Sequence, residues 1–170
     1  MTERQFYGWQ AAGGGGDVIR LVEVMEHHEI PWCMIGGLAV NHWADEPMAT
    51  ADVDLVIATE CIDNAVQALE KVGFKSKSYN LKGNSKVTVQ ISTGAEYEGF
   101  PSRAVPADVH GILMRVASLE DTLKGKIQAW RDPEHRASKR LKDLADILRL
   151  LESHPDLKEH IPEDVRVKIQ

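Results

Sequence analysis

The chain has 170 residues, 43% of them hydrophobic, with 20 Lys and Arg against 26 Asp and Glu and a formal net charge of -6. That is enough for one domain, or a small core with a helical appendage, and enough apolar material to argue against global disorder. The acidic balance argues against non-specific wrapping of nucleic acid, while leaving room for a local basic groove. Cys33 and Cys61 form no CxxC pair and read as reduced thiols. The N-terminus is polar with no signal-peptide core, and no apolar run reaches membrane-spanning length. The expected compartment is the cytoplasm, with no membrane partner.

The run Gly13-Gly14-Gly15-Gly16 has no strand before it, so it reads as a flexible lead-in or a helix boundary rather than a phosphate loop. Val18, Leu21, Val22 and Met25 then repeat at helical spacing. Trp32-Cys33-Met34-Ile35 is a short apolar run that predicts a buried strand. Gly36-Gly37 breaks it, and residues 38–43 look helical. A second apolar strand begins at Asp52, and residues 62–72 predict a helix stopped by Gly73. Residues 74–80 and 86–92 alternate as two strands around a turn at Lys82-Gly83-Asn84, and 94–106 read as a loop. A short strand is expected over 112–116. Ser118-Leu119-Glu120-Asp121 has the pattern of a helix cap, opening a helix to about Trp130. Pro133 is expected to open a last long helix to about Ser153, followed by a polar, weakly specified tail. The predicted class is α/β (α+β), a mixed sheet flanked by helices with a C-terminal helical segment. The expected division is a lead-in over 1–16, a core over 17–117, helices over 118–153 and a tail over 154–170.

Two local patterns carry chemistry. In Met34-Ile35-Gly36-Gly37 a strand runs into two glycines and then a helix. Glycine allows a sharp turn and close approach of a ligand, and a helix N-terminus presents free N–H groups that suit phosphate. In Asp52-Val53-Asp54, side chains alternate, so both carboxylates project from one face of the strand while Val53 faces the core. Like charges so placed repel unless a cation lies between them, and hard oxygens at that spacing suit Mg2+, with Mn2+ as the alternative.

Together these patterns resemble the DNA polymerase β-like nucleotidyltransferase superfamily, through Ile35-Gly36-Gly37-Leu38-Ala39 and Thr50-Ala51-Asp52-Val53-Asp54-Leu55. The resemblance implies that Gly36, Gly37 and Thr50 hold a nucleoside triphosphate and that Asp52 and Asp54 bind the metals that carry it. It also implies in-line displacement at the α-phosphorus. The segments Lys124-Gly125-Lys126-Ile127-Gln128-Ala129 and Lys139-Arg140-Leu141-Lys142-Asp143-Leu144-Ala145-Asp146-Ile147 are similar to the AbiEii-like branch, the toxin nucleotidyltransferases of type IV toxin–antitoxin systems. That likeness carries over Lys126 to the nucleotide and Asp143 to catalysis, and it suggests a cognate antitoxin as partner.

Read without the family, the helix expected from Pro133 to about Ser153 places Leu141, Leu144, Leu148 and Leu151 on a buried stripe. Arg136, Lys139, Arg140 and Asp143 fall on another face. Beside a metal–triphosphate site that basic stripe has a partner, and Lys139 is expected to meet the phosphates. Asp146 lies close to the same face, or else pairs with Arg149 or Lys142 on the surface. The sequence departs from the family in one place: the resemblance implies a third carboxylate on a later strand, expected here over 87–91, and its position holds Gln90, with Asp108 as a replacement from a different strand. The histidines read as structural or exposed, with His42 a weak candidate for lining the pocket. The expected function is Mg2+-dependent transfer of a nucleoside monophosphate from an NTP to a protein, an RNA 3′ end or a small molecule. The alternatives are a catalytically impaired nucleotide-binding regulator or antitoxin-type partner, which Gln90 favours, and an interaction module with surface aspartates.

Overall fold

The structure is a computed structural model that describes residues 14–109 and 111–170. The polar N-terminus, Gly13 and His110 lie outside the described residues. Helix α1 spans Gly14–His27, so Gly14–Gly16 are helical and the glycine run marks a helix boundary rather than a lead-in extending to residue 16. Its apolar face, Val18, Leu21 and Met25, is buried as the spacing predicts. Strand β1 (Trp32–Ile35) leads into α2 (Gly36–Trp43), and β2 (Asp52–Ile57) leads through a 3-10 turn into α3 (Ile62–Lys71).

Three later segments differ from expectation. Residues 74–80 are not one strand: the chain turns at Ser78, which has φ of 55°, giving a hairpin of β3 (Lys75–Lys77) and β4 (Asn80–Lys82) before β5 (Thr88–Ser92). The alternation across the turn mimicked a continuous strand. The expected loop over 94–106 holds a short helix α4 (Phe100–Arg103), and strand β6 (Val105–Val109) begins at its end, antiparallel to β7 (Ile112–Val116). Pro106 hid that strand, yet it lies on the sheet's edge, where the missing N–H costs no interior hydrogen bond.

The seven strands form one mixed sheet in the order β3-β4-β5-β2-β1-β7-β6. Helix α5 (Leu119–Arg131) starts where Ser118 accepts a hydrogen bond from the Asp121 N–H at 3.1 Å. The last long helix, α6, spans Ala137–Ser153, four residues later than Pro133 suggested. The tail is ordered: a 3-10 segment, Pro155–His160, and helix α7 (Glu163–Ile169) bury Leu157, Ile161 and Val165 against α6. Among the described residues no helix is long and apolar enough to cross a membrane.

The strand period sorts the side chains between two layers. Trp32, Met34, Val53, Leu55 and Ile57 join the main core with α1 and α3. Cys33, Ile35 and Val56 face the other way, against Phe100 and Ala117. Asp52 and Asp54 share that second face with Val56, and there the helices α5 and α6 stand.

One buried charge ties the first helix to the sheet. Asp17, 1% exposed, accepts hydrogen bonds from the backbone N–H groups of Asn84 (3.0 Å) and Ser85 (2.9 Å), from the Ser85 hydroxyl, and from Arg20. Burial alone would raise its pKa, but these hydrogen bonds together hold it below its ordinary value of 3.8. A depressed carboxylate pKa contributes stability that is present above the unfolded value and lost as pH falls through the folded one. Asp17→Ala should therefore cost about 3 kcal/mol in urea unfolding near neutral pH. The difference from the parent should shrink below about pH 3.8, and a constant difference would sink this account.

Candidate active site

The glycine turn, Thr50 and the carboxylate pair are mutual neighbours. Strand β1 pairs antiparallel with β2, setting Ile35 opposite Asp54, and β5 runs parallel to β2 on its other side, setting Gln90 opposite Asp54. Gly36 has φ of 71°, a conformation that favours glycine, and a Cβ there would overlap the Asp54 carboxylate. A Cβ on Gly37 would lie 3.1 Å from Thr50 Oγ1. No side chain caps α2, so the N–H groups of its first turn are left to the cleft.

Two cavities meet here and share Asp54, Gln90, Lys126, Lys139 and Asp143. One, of about 320 Å3, also takes in Gly37, Thr50, Asp52, Arg136 and Lys142. The other, of about 450 Å3, runs from Gly36 along the sheet to Glu96 and Tyr97 and is closed by Asp132 and His135. Every residue singled out in the sequence as catalytic or nucleotide-binding thus lines one cleft. Asp108 does not: it sits on the edge strand β6 and accepts from the Gly111 N–H at 2.8 Å, so it replaces no carboxylate beside Gln90. His42 is exposed and lines neither cavity.

Lys126 is buried at 7% exposure and reaches across from α5 to α6. Its ammonium donates to Asp143 Oδ1 at 2.9 Å and forms an ion pair with Asp146 Oδ2 at 2.7 Å. Burial would lower its pKa, but the two carboxylates outweigh that and hold it raised, so it stays charged. Asp146 is not a surface residue: at 1% exposure it sits behind Lys126 and also meets Arg149 at 2.9 Å. The buried stripe of α6 keeps Leu151 and, in part, Leu144 of the expected leucines, but this network adds two aspartates to it. Leu141 is 68% exposed, while Asp143, Asp146, Ile147, Leu150 and Leu151 face inward.

Among the described residues, Asp143 Oδ2 is buried without a hydrogen-bond partner. Burial pushes the pKa of Asp54 up to about 6, with Lys126 partly offsetting it and Asp52 adding to it. No group of three His, Cys, Asp or Glu side chains among the described residues could hold a metal unaided. Two carboxylates on one face, a neutral amide beside them and an open basic cavity fit Mg2+, which takes one or two carboxylates and fills its shell with phosphate oxygens and water.

His135 was not legible as a site residue. Its Nδ1 lies 3.0 Å from the Ala129 carbonyl, which can only accept, so Nδ1 carries the proton. Nε2 is then the acceptor, 3.1 Å from Lys139 Nζ. Its only sequence signal was the i,i+4 spacing to Lys139. Tyr97 and Glu96 fell in a stretch with no regular pattern.

Comparison with known proteins bears on the family and the fold. The family model described as nucleotidyl transferase AbiEii toxin, type IV toxin–antitoxin system, matches residues 70–169. That span includes Gln90, Lys126 and Asp143 but begins after the carboxylate pair. No curated protein matches the sequence. Among solved structures, ANT(2'')-Ia in complex with adenylyl-2''-tobramycin superposes with a TM-score of 0.62 at 14% identity, over 90% of this chain and 97% of that one. The lincosamide antibiotic adenylyltransferase LnuA, lincomycin-bound, gives 0.54 at 13% identity over 79% and 96%. JHP933 from Helicobacter pylori gives 0.52 at 16% identity over 97% and 72%. At such identities the likeness is one of fold, and it is the nucleotidyltransferase fold. The family match spans more than half of the 170 residues, and the chain belongs to the AbiEii family of nucleotidyl transferase toxins of type IV toxin–antitoxin systems.

Proposed function

We propose that the chain transfers a nucleoside monophosphate from a Mg2+-bound NTP to an acceptor hydroxyl in this cleft. The observation that carries the reading is the meeting of Asp54 with Gly36 on one side and with Lys126, Lys139 and Asp143 on the other. Asp52 and Asp54 would hold the metal, with Mn2+ as a substitute. When bound, it would offset negative charge on the phosphates. Gly36, Gly37 and Thr50 would seat the triphosphate, and Lys126 and Lys139 would bind it as compact charges. Asp143 would act through its unpartnered Oδ2, taking the proton from the acceptor hydroxyl. The acceptor is a protein, an RNA 3′ end or a small molecule. ANT(2'')-Ia and LnuA are associated with antibiotic acceptors, and family membership adds a cognate antitoxin as partner. A second reading, a nucleotide-binding regulator without transfer, is favoured by Gln90 standing where a third carboxylate is expected.

Incubation with each α-labelled NTP, Mg2+ and a cell extract separates the two readings: transfer of label supports the first, and metal-dependent NTP binding without transfer supports the second. Under the first, Lys126→Met and Asp143→Asn should each lower transfer by about 100-fold or more, within the range of lost general-base and electrostatic contributions. Full activity in both variants would overturn the assignment.

The raised pKa of Asp54 yields a separate test. A carboxyl whose folded pKa lies above its unfolded value contributes stability that is present below the unfolded pKa and lost as pH rises through the folded one, here from 3.8 to about 6. Without metal, Asp54→Asn should therefore melt higher than the parent above about pH 6 and match it below about pH 4. Mg2+ with NTP should raise the melting temperature of the parent and not of the variant. A lower melting temperature for Asp54→Asn at neutral pH would show that the carboxylate is a structural partner.

A further inference from the structure

The segment 44–51, between α2 and β2, delivers Thr50 and Asp52 to the cleft, yet residues 45–49 are all exposed. A segment so placed has little apolar burial to fix it, and its conformation falls to polar tethers. The tethers come from two helices. Asn41 on α2 donates from Nδ2 to the Met48 carbonyl at 2.7 Å, and its Oδ1 accepts from the Met48 N–H at 2.9 Å. Arg149 on α6 donates to the same Asn41 Oδ1 at 2.8 Å and to the Glu46 carbonyl. The other arm of its guanidinium donates to Asp146 Oδ1 at 2.9 Å, and Asp146 is the ion-pair partner of Lys126. An unbroken chain of polar contacts therefore runs from the cleft ammonium, behind the site, to the segment that carries Thr50 and leads into Asp52.

We propose that Arg149 and Asn41 are positioning residues that clamp this segment and so set Thr50 and Asp52 for the metal-bound triphosphate. Neither lines the cleft, so neither touches a ligand there. The planar fork of Arg149 suits the task, since one side chain must meet a carboxylate, an amide oxygen and a backbone carbonyl at once. Asp146 sets Arg149 and Lys126 together, which accounts for a second buried aspartate beside Asp143. The proposal rests on the nucleotide-binding reading above, and its test separates the two.

Arg149→Met, Arg149→Lys and Asn41→Ala would be compared with the parent in two measurements: hydrogen exchange of the Met48 amide, and calorimetric binding of Mn2+ with non-hydrolysable analogues of the four NTPs. Arg149→Met and Asn41→Ala should speed exchange of the Met48 amide and weaken analogue binding by about tenfold, as loss of supporting contacts around a metal site does. In turnover the effect should fall on KM, with kcat largely kept. Arg149→Lys should not restore binding, because an ammonium lacks the fork. If Arg149→Met fails to fold, Asn41→Ala carries the test, since it leaves the Asp146–Arg149 pair in place. Unchanged Met48 exchange would overturn the clamp. Faster exchange with unchanged analogue affinity would overturn its positioning role. A parent that binds none of the analogues would overturn the nucleotide reading itself, and the positioning claim with it, whatever Met48 does.

Discussion

The ammonium of Lys126, buried between Asp143 and Asp146, is the constraint on which the rest of the site depends. A charge taken out of water is costly unless it is paired at close range, and removing one partner of such a pair leaves the other stranded, at a cost of about 3–5 kcal/mol. Counted with Arg149, the group holds two cations and two carboxylates, so it is neutral as a whole while each member is fixed by the others. It joins α5 to α6, and Arg149 extends it to α2 through Asn41. The helical layer is thereby held against the sheet at the height of Asp54, which is the condition for a cleft with walls from both.

The sheet makes the complementary contribution. Parallel pairing of β2 with β5 and antiparallel pairing of β1 with β2 put Ile35, Asp54 and Gln90 on one line across three strands. The glycine turn leaves that line directly, and Gly36 is tolerable there only because it lacks a side chain. On one side of the line the cavity is basic, with Arg136, Lys139 and Lys142. On the other it has Tyr97, Glu96 and Asp132. In the proposed reaction the triphosphate belongs to the basic side, because Gly37, Thr50, Arg136 and Lys142 line that cavity and not the other, while Lys126 and Lys139 line both.

Much of this was legible in the sequence because the signals were short-range. Strands β1 and β2 are apolar runs whose period decides which residues share a face, and Gly36-Gly37 with Asp52-Val53-Asp54 states the site in two short segments. What was not legible depends on tertiary pairing. The stripe of α6 was right at Leu151 but wrong at Leu141, and it left out Asp143 and Asp146, because a buried aspartate is unintelligible without Lys126, which lies on another helix. The C-terminal residues 155–170 looked polar because the inward positions, Leu157, Ile161, Val165 and Ile169, stand one in four among polar and charged neighbours. The hairpin at Ser78 and the edge strand with Pro106 broke local rules that hold for sheet interiors, and both lie toward a margin of the sheet. His135 reaches the cleft only because a turn after α5 folds it back onto Ala129.

The neutral Gln90 can be understood from the same electrostatics. Asp54 already has its pKa pushed up to about 6 by burial, with Asp52 adding to the effect. A third carboxylate on β5, beside Asp54 in the register, would add a like charge next to it and raise that pKa further. With an amide there, the carboxylate that the proposed chemistry needs for the acceptor hydroxyl comes from α6 instead. Asp143 is held at one oxygen by Lys126, and its other oxygen is left unpartnered. The negative charge is divided between sheet and helix, and Lys126 stands between the two halves.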